Sequence, residues 1–318
     1  MRAAVIDQYG DLDVLSVRDV PRPAVGVDEV LVQVHCAAVN PIDTKLRDGT
    51  MRFRYGRRFP MTVGYDMCGT ITEVGSAVTN RRVGEIVYGR GDRKTGESCA
   101  EFCAVGADAV ALKPHDIGDD EAAAMPLAAL TALQALRDDA SLQTGDRVLI
   151  IGASGGVGTY AVQIARAMGA SVTAVCSAAN VDLVSELGAG DVIDYTSQPT
   201  FRVGGEPFDV ILDAVGAESF TAARDSLTDN GTYVSTTPSA RTLLGFLTNR
   251  FTRRTAVFAM VKPRGTDLDE LSEWVQDGRL RSIIDSSFEL DEIAEAHRRS
   301  ETKRARGKIV IRVSEALD

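Results

Sequence analysis

Seven small residues, Gly152-Ala153-Ser154-Gly155-Gly156-Val157-Gly158, stand between an apolar run at 148–151 and a helix-forming segment that begins at Gly158. Glycines at such a junction permit a tight strand-to-helix turn and let backbone N–H groups approach a pyrophosphate. They also let the helix pack close on its sheet, with its N-terminus facing the anion. The segment predicts dinucleotide binding, with Ser154, Gly155, Gly156 and Val157 against the phosphates. The next strand ends Val175-Cys176-Ser177-Ala178-Ala179-Asn180, and no carboxylate follows until Asp182. An acid at this place would accept the ribose 2′-OH of NAD and repel a 2′-phosphate. The hydroxyl of Ser177 and the amide of Asn180 donate to phosphate instead, so NADPH is the expected cofactor.

Gly152, Gly156 and Gly158 also match the G-x-x-x-G-x-G turn of short-chain dehydrogenases, which is paired with a downstream Tyr-x-x-x-Lys. Tyr160, Tyr195 and Tyr233 are followed four places on by Ile164, Pro199 and Thr237, so that pairing is missing. Five scattered cysteines, Cys36, Cys68, Cys99, Cys103 and Cys176, predict buried thiols rather than a disulfide framework. Cys99 and Cys103, read as positions of one strand, would lie about 13 Å apart at about 3.3 Å per residue, too far for one ion. No metal is expected. His35, inside an apolar strand, reads as a core histidine rather than a base.

Two kinds of element must position these residues. Residues 1–118 carry short β-type runs at 3–6, 30–37, 69–74, 85–88, 100–105 and 109–113, punctuated by Gly, Pro and Asp, which predicts an irregular β domain. From Asp119 an alanine-rich helix is predicted to run past Pro126 toward Leu136. Strands at 147–151, 171–176, 191–194, 209–213 and 231–235 then alternate with helices at 158–168, 181–187 and 219–227. Parallel crossovers need such helices to cover the sheet, so the second domain, 119–261, is expected to be a doubly wound α/β domain. The tail holds an amphipathic helix at 267–276, with Leu268, Leu271 and Val275 on one side, and a last strand at 308–313.

A length of 318 residues favours two cores. The net charge of −10 repels nucleic-acid phosphates and anionic lipid, so neither nucleic acid nor membrane is an expected partner. The opening Met1-Arg2-Ala3-Ala4-Val5-Ile6-Asp7 meets charge before a signal-peptide core could form, and no stretch of about 18 apolar residues occurs, so a cytoplasmic protein is expected.

The order of four pieces carries a resemblance that spans nearly the whole chain. They are Ala38-Val39-Asn40-Pro41-Ile42-Asp43, Val63-Gly64-Tyr65-Asp66, Ala153-Ser154-Gly155-Gly156-Val157-Gly158 and Arg306-Gly307-Lys308-Ile309-Val310-Ile311. Together they resemble the medium-chain dehydrogenase/reductase superfamily, and within it the zinc-independent quinone oxidoreductases of the zeta-crystallin-like branch. The resemblance implies a GroES-like irregular β domain, 1–118 with 262–318, beside a Rossmann domain, 119–261. In zinc-dependent relatives a ligand cysteine stands at the position of Asn40, a ligand histidine at Tyr65, and a third ligand near Pro126 to Leu127. None of these positions holds a Cys or a His here.

By that resemblance the expected reaction is NADPH-dependent, metal-independent hydride transfer to a quinone or an α,β-unsaturated carbonyl, whose developing charge is delocalised and asks less of a Lewis acid. A 2-enoyl thioester reductase, which would want an active tyrosine such as Tyr55, and an NADPH-binding protein of structural or regulatory role without turnover are the alternatives. The resemblance implies catalytic roles for Asn40, Tyr55 and Tyr65. It places Asn40, Thr131, Tyr195, Ala214, Val215, Phe258 and Met260 along the cofactor, and implies a homodimer formed through an edge strand of the nucleotide domain.

Overall fold

The strand Glu29–Val39 is buried at nine of its 11 positions, which requires a sheet neighbour on each side and packing on both faces. It pairs antiparallel with Asp66–Val74 and Lys308–Arg312, and its first half also pairs with Phe102–Gly106. The resulting sheet runs Ile284–Glu289, Lys308–Arg312, Glu29–Val39, Asp66–Val74, Ile86–Arg90, Val110–Leu112. A small second sheet joins Leu15–Asp19, Arg2–Ile6 and Met61–Thr62. Val32, Val34, Met67, Ile71, Val87, Ile309 and Ile311 belong to the core that these strands enclose.

The computed structural model describes residues 1–201, 205–237 and 253–314. It divides into two units, Met1–Leu127 with Lys262–Asp318, and Ala128–Val261. The first unit extends past 118 because Asp119 is tied to it: its carboxylate takes His35 Nδ1 at 2.7 Å and Lys113 Nζ at 2.7 Å. The single helix predicted from 119 toward 136 is instead two, Asp119–Ala124 and Pro126–Gln134, continued by a π-helical turn Ala135–Asp139. Proline at the first position of the second helix has no N–H to carry the first helix onward. Cys99 lies before the strand Phe102–Gly106, not within a strand shared with Cys103, and all five cysteines are free and buried.

In the second unit six strands form an all-parallel sheet in the order Asp191–Asp194, Ser171–Cys176, Arg147–Ile151, Phe208–Asp213, Leu227–Ser235, Thr255–Phe258. Arg147–Ile151 is where the order reverses, and the helix Gly156–Ala167 follows it. Parallel strands share one carboxyl edge, and ligands of such sheets bind outside that edge at the reversal. The chain therefore has a Rossmann-like α/β unit in addition to its β unit. Among the described residues no helix is long and apolar enough to cross a membrane.

Candidate functional site

The glycine turn occupies the reversal point of the parallel sheet. Gly152 has φ +78°, and a Cβ there would lie 2.5 Å from Val215 Cγ1. A Cβ on Gly158 would lie 2.1 Å from the Gly152 carbonyl oxygen, so only glycine lets the helix sit this close to the strand. Gly155 is the N-cap and offers no side-chain cap to the helix Gly156–Ala167. The N–H groups of Gly156 and Val157 are thus at an uncapped helix N-terminus suited to a phosphate.

The neighbouring strand end brings Ser154, Ser177 and Asn180 together. Asn180 Nδ2 donates to Ser154 Oγ at 3.0 Å and to Ser177 Oγ at 3.3 Å. Both hydroxyls accept from the amide and keep their own protons for an anion. Tyr195 is exposed, and its N–H donates to the Cys176 carbonyl at 3.1 Å, which places it beside the same strand end.

Ala214 donates to the Ile151 carbonyl, and Val215 leans on Gly152. Their turn is held by Asp213, a residue whose role the sequence pattern did not single out. Its buried carboxylate accepts the N–H groups of Val215, Gly216, Ala217 and Glu218 and the Tyr233 hydroxyl. Phe258 closes the last strand half-buried, and Met260 is exposed two residues on. Ser177, Tyr195, Ala214 and Phe258 thus stand at the carboxyl ends of four strands, on the edge that also carries the glycine turn. Thr131 is buried in the helix Pro126–Gln134.

In the first unit Asn40 caps the short helix Pro41–Arg47, its backbone N–H donating to Asp43 Oδ2 at 2.7 Å. Its side-chain amide is engaged at both ends. Lys308 Nζ donates to Asn40 Oδ1 at 2.5 Å and to Asp66 Oδ2 at 2.9 Å, while Asn40 Nδ2 donates to the same Asp66 oxygen at 2.9 Å. Leu127 N–H donates to Asp66 Oδ1 at 2.7 Å. Asp43 Oδ1 is buried without a partner, and burial, reinforced by the charge of Asp66, pushes its carboxyl up to about 7.

Tyr65 donates to the Lys94 carbonyl at 2.7 Å, and its oxygen lies 3.1 Å from that of Tyr55. With the Tyr65 proton used, Tyr55 is the donor of that bond. Arg90 stacks over the Tyr65 ring at 4.7 Å. Burial raises both phenols above their ordinary value. Tyr55 also borders a cavity of about 640 Å³, with Pro60, Met61 and Phe102 among its other walls.

Residues 26–119 match the family model of the alcohol dehydrogenase GroES-like domain, and residues 187–311 match that of a zinc-binding dehydrogenase. The chain is 35% identical to the human mitochondrial NAD(P)H oxidoreductase RTN4IP1, over 98% of this chain and 89% of that one. It is also 35% identical to the 2-methylene-furan-3-one reductase of Solanum lycopersicum, over 98% and 79%. The solved quinone oxidoreductase of Coxiella burnetii superposes with a TM-score of 0.92 at 32% identity, covering 99% of each chain. The chain belongs to the quinone oxidoreductase-like branch of the medium-chain dehydrogenase/reductase superfamily. It is an oxidoreductase of that family.

One of the two matching models of this dehydrogenase/reductase carries zinc in its name, but the residues present do not fit the ion. Its match, 187–311, leaves out Asn40, Tyr65 and Pro126. Among the described residues no group of three or more His, Cys, Asp or Glu could hold a metal. Of the two carboxylates nearby, Asp43 is tied to the Asn40 backbone and Asp66 is neutralised by the Lys308 ammonium, which would repel a divalent cation. Lys308 leads an apolar strand, Lys-Ile-Val-Ile, and a buried lysine in that place was the signal in this oxidoreductase's sequence that its role could have been read from.

Proposed function

We propose that the chain reduces quinones or α,β-unsaturated carbonyls with NADPH and without a metal. The observation that carries this reading is the buried Lys308–Asp66–Asn40 cluster, because it sets a fixed ammonium against Asn40, one of the three positions where zinc-dependent relatives carry a ligand, and that charge would repel a Lewis-acid cation. An acceptor whose charge spreads over a conjugated system suits such a site. NADPH is supported by the Ser154–Asn180–Ser177 group, which offers hydroxyl donors and no carboxylate where a 2′-phosphate would lie.

When bound, the nicotinamide supplies the hydride. The uncapped helix turn at Gly156–Val157 would hold the pyrophosphate, and Thr131, Tyr195, Ala214, Val215, Phe258 and Met260 would line the rest of the cofactor. Asn40, whose amide is spent on Lys308 and Asp66, positions its loop and does not reach the acceptor. Tyr55 would border the acceptor with Tyr65 behind it, and neither donates, because the proton of each is committed to a hydrogen bond. The proton that completes the reduction comes from solvent, which leaves a thioester reductase relying on Tyr55 without support. The strand Thr255–Phe258, at the edge of its sheet among the described residues, supports a homodimer, and five free buried cysteines support a reducing compartment such as the cytoplasm.

The test is NADPH oxidation followed with para-benzoquinone, phenanthrenequinone and a series of alkenals, together with fluorescence titration of NADPH and NADH. Turnover that withstands chelators, with tighter binding of NADPH, is expected. Activity that appears only with added zinc, or equal affinity for the two cofactors, would overturn the reading.

A further inference from the structure

The segment Met51-Arg52-Phe53-Arg54-Tyr55-Gly56-Arg57-Arg58 reverses the charge of the protein that carries it. No acidic residue occurs between Thr50 and Thr62, although the whole chain has a net charge of −10. Arg52, Arg54, Arg57 and Arg58 are all exposed, and among the described residues none of them makes an ion pair. Many arginines elsewhere are paired, Arg2, Arg18, Arg22 and Arg93 among them, whereas here four consecutive cations along one loop are not. Lys94, also exposed, brings its ammonium to Gly56 and adds a fifth cation.

An aromatic ring stands in the middle of this charge. Phe53 is 93% exposed, and Arg52 lies over its ring at 5.4 Å. The segment is held from beneath while its outer face stays open. Tyr55 is buried and bonded to Tyr65, and the Tyr9 hydroxyl donates to the Gly56 carbonyl. A phenyl ring exposed between unpaired arginines is unrewarded in water. At the boundary between headgroups and acyl chains it gains burial while the guanidiniums meet phosphates. A soluble polyanion would use the arginines and leave the ring in water.

We propose that this loop docks the protein on an anionic bilayer surface, with Phe53 entering the interface and Arg52, Arg54, Arg57 and Arg58 pairing with lipid phosphates. The overall negative charge does not prevent this, because at physiological salt the field of distant acids is screened within about 8 Å. Docking would bring the enzyme to the phase in which apolar quinones dissolve. The surface itself does not depend on which acceptor is reduced.

The experiment is sedimentation of the full chain with vesicles of phosphatidylcholine alone and of phosphatidylcholine mixed equally with phosphatidylglycerol. Binding is expected on the anionic vesicles only, and is expected to be lost at high salt. Arg54→Gln combined with Arg57→Gln should weaken it roughly 30-fold, at about 1 kcal/mol per basic residue. Phe53→Trp should give a blue-shifted emission on the anionic vesicles, and Phe53→Ser should weaken binding. Thermal melting of each variant, unchanged from the parent, shows that folding is intact. Absence of binding to anionic vesicles, or binding untouched by the paired arginine change, overturns the proposal. So does binding that heparin abolishes while Phe53→Trp emission stays unshifted on vesicles, since that would mark a soluble polyanion site.

Discussion

Lys308 Nζ donates to Asp66 Oδ2 at 2.9 Å, with the two side chains 3% and 0% exposed, across 242 residues of sequence. Removing one partner leaves the other charge buried and uncompensated. Lys308→Met is therefore expected to destabilise the chain by about 3 kcal/mol or more, and Lys308→Met with Asp66→Asn by less than Lys308→Met alone. Urea denaturation of both variants decides the order.

Two buried groups give stability a pH dependence of opposite sign. His297 is wholly buried, and burial, followed by the charge of Arg47, lowers its value from 6.5 to about 3. Between these values the unfolded chain binds a proton that the folded one refuses. This contribution is therefore present above 6.5 and is lost as pH falls toward about 3, at up to about 1.4 kcal/mol per pH unit. His297→Gln should flatten that acid limb in thermal melts taken across the range. Asp43, raised from 3.8 to about 7, acts the other way: its stabilisation is present below 3.8 and lost as pH rises through about 7. Asp43→Asn should accordingly compare more favourably with the parent above that value than below it.

Ser177 accepts from Asn180 at the strand end that we propose faces a 2′-phosphate. A carboxylate there repels the phosphate and accepts from a free ribose hydroxyl. Ser177→Asp should weaken NADPH binding by at least about tenfold and improve NADH, a shift read by fluorescence titration.

The Tyr55 hydroxyl is spent on Tyr65, whose own proton goes to the Lys94 carbonyl. Tyr55→Phe should change kcat by less than about threefold, because a lost general acid would cost about a hundredfold or more. A large fall in kcat without a change in KM would return Tyr55 to the role of proton donor.

The turn Gly152 to Gly158 and the alternation of strands and helices after it were legible in the sequence. Their requirements are local: a positive φ at Gly152, room for the Gly158 backbone, and helices to cover parallel strands. The missing carboxylate after Cys176 was equally legible, since the loop that follows the second strand of the sheet is a few consecutive residues. The helix after Asp119 was misread because the pattern of alanines continues across Pro126 while the hydrogen-bond ladder does not.

Asn40, Tyr55 and Tyr65 were found as positions, but what their polar atoms do was not. That depends on partners 268, 10 and 29 residues away, Lys308, Tyr65 and Lys94, which no periodicity connects. Sequence alone determined the glycine turn and the helix end that follows it, because both are built from neighbours. Only the tertiary structure decided that a lysine ammonium stands among the lost ligand positions. A buried charge settles where strands distant in sequence bring it a carboxylate and an amide, and that meeting is a property of the sheet's register.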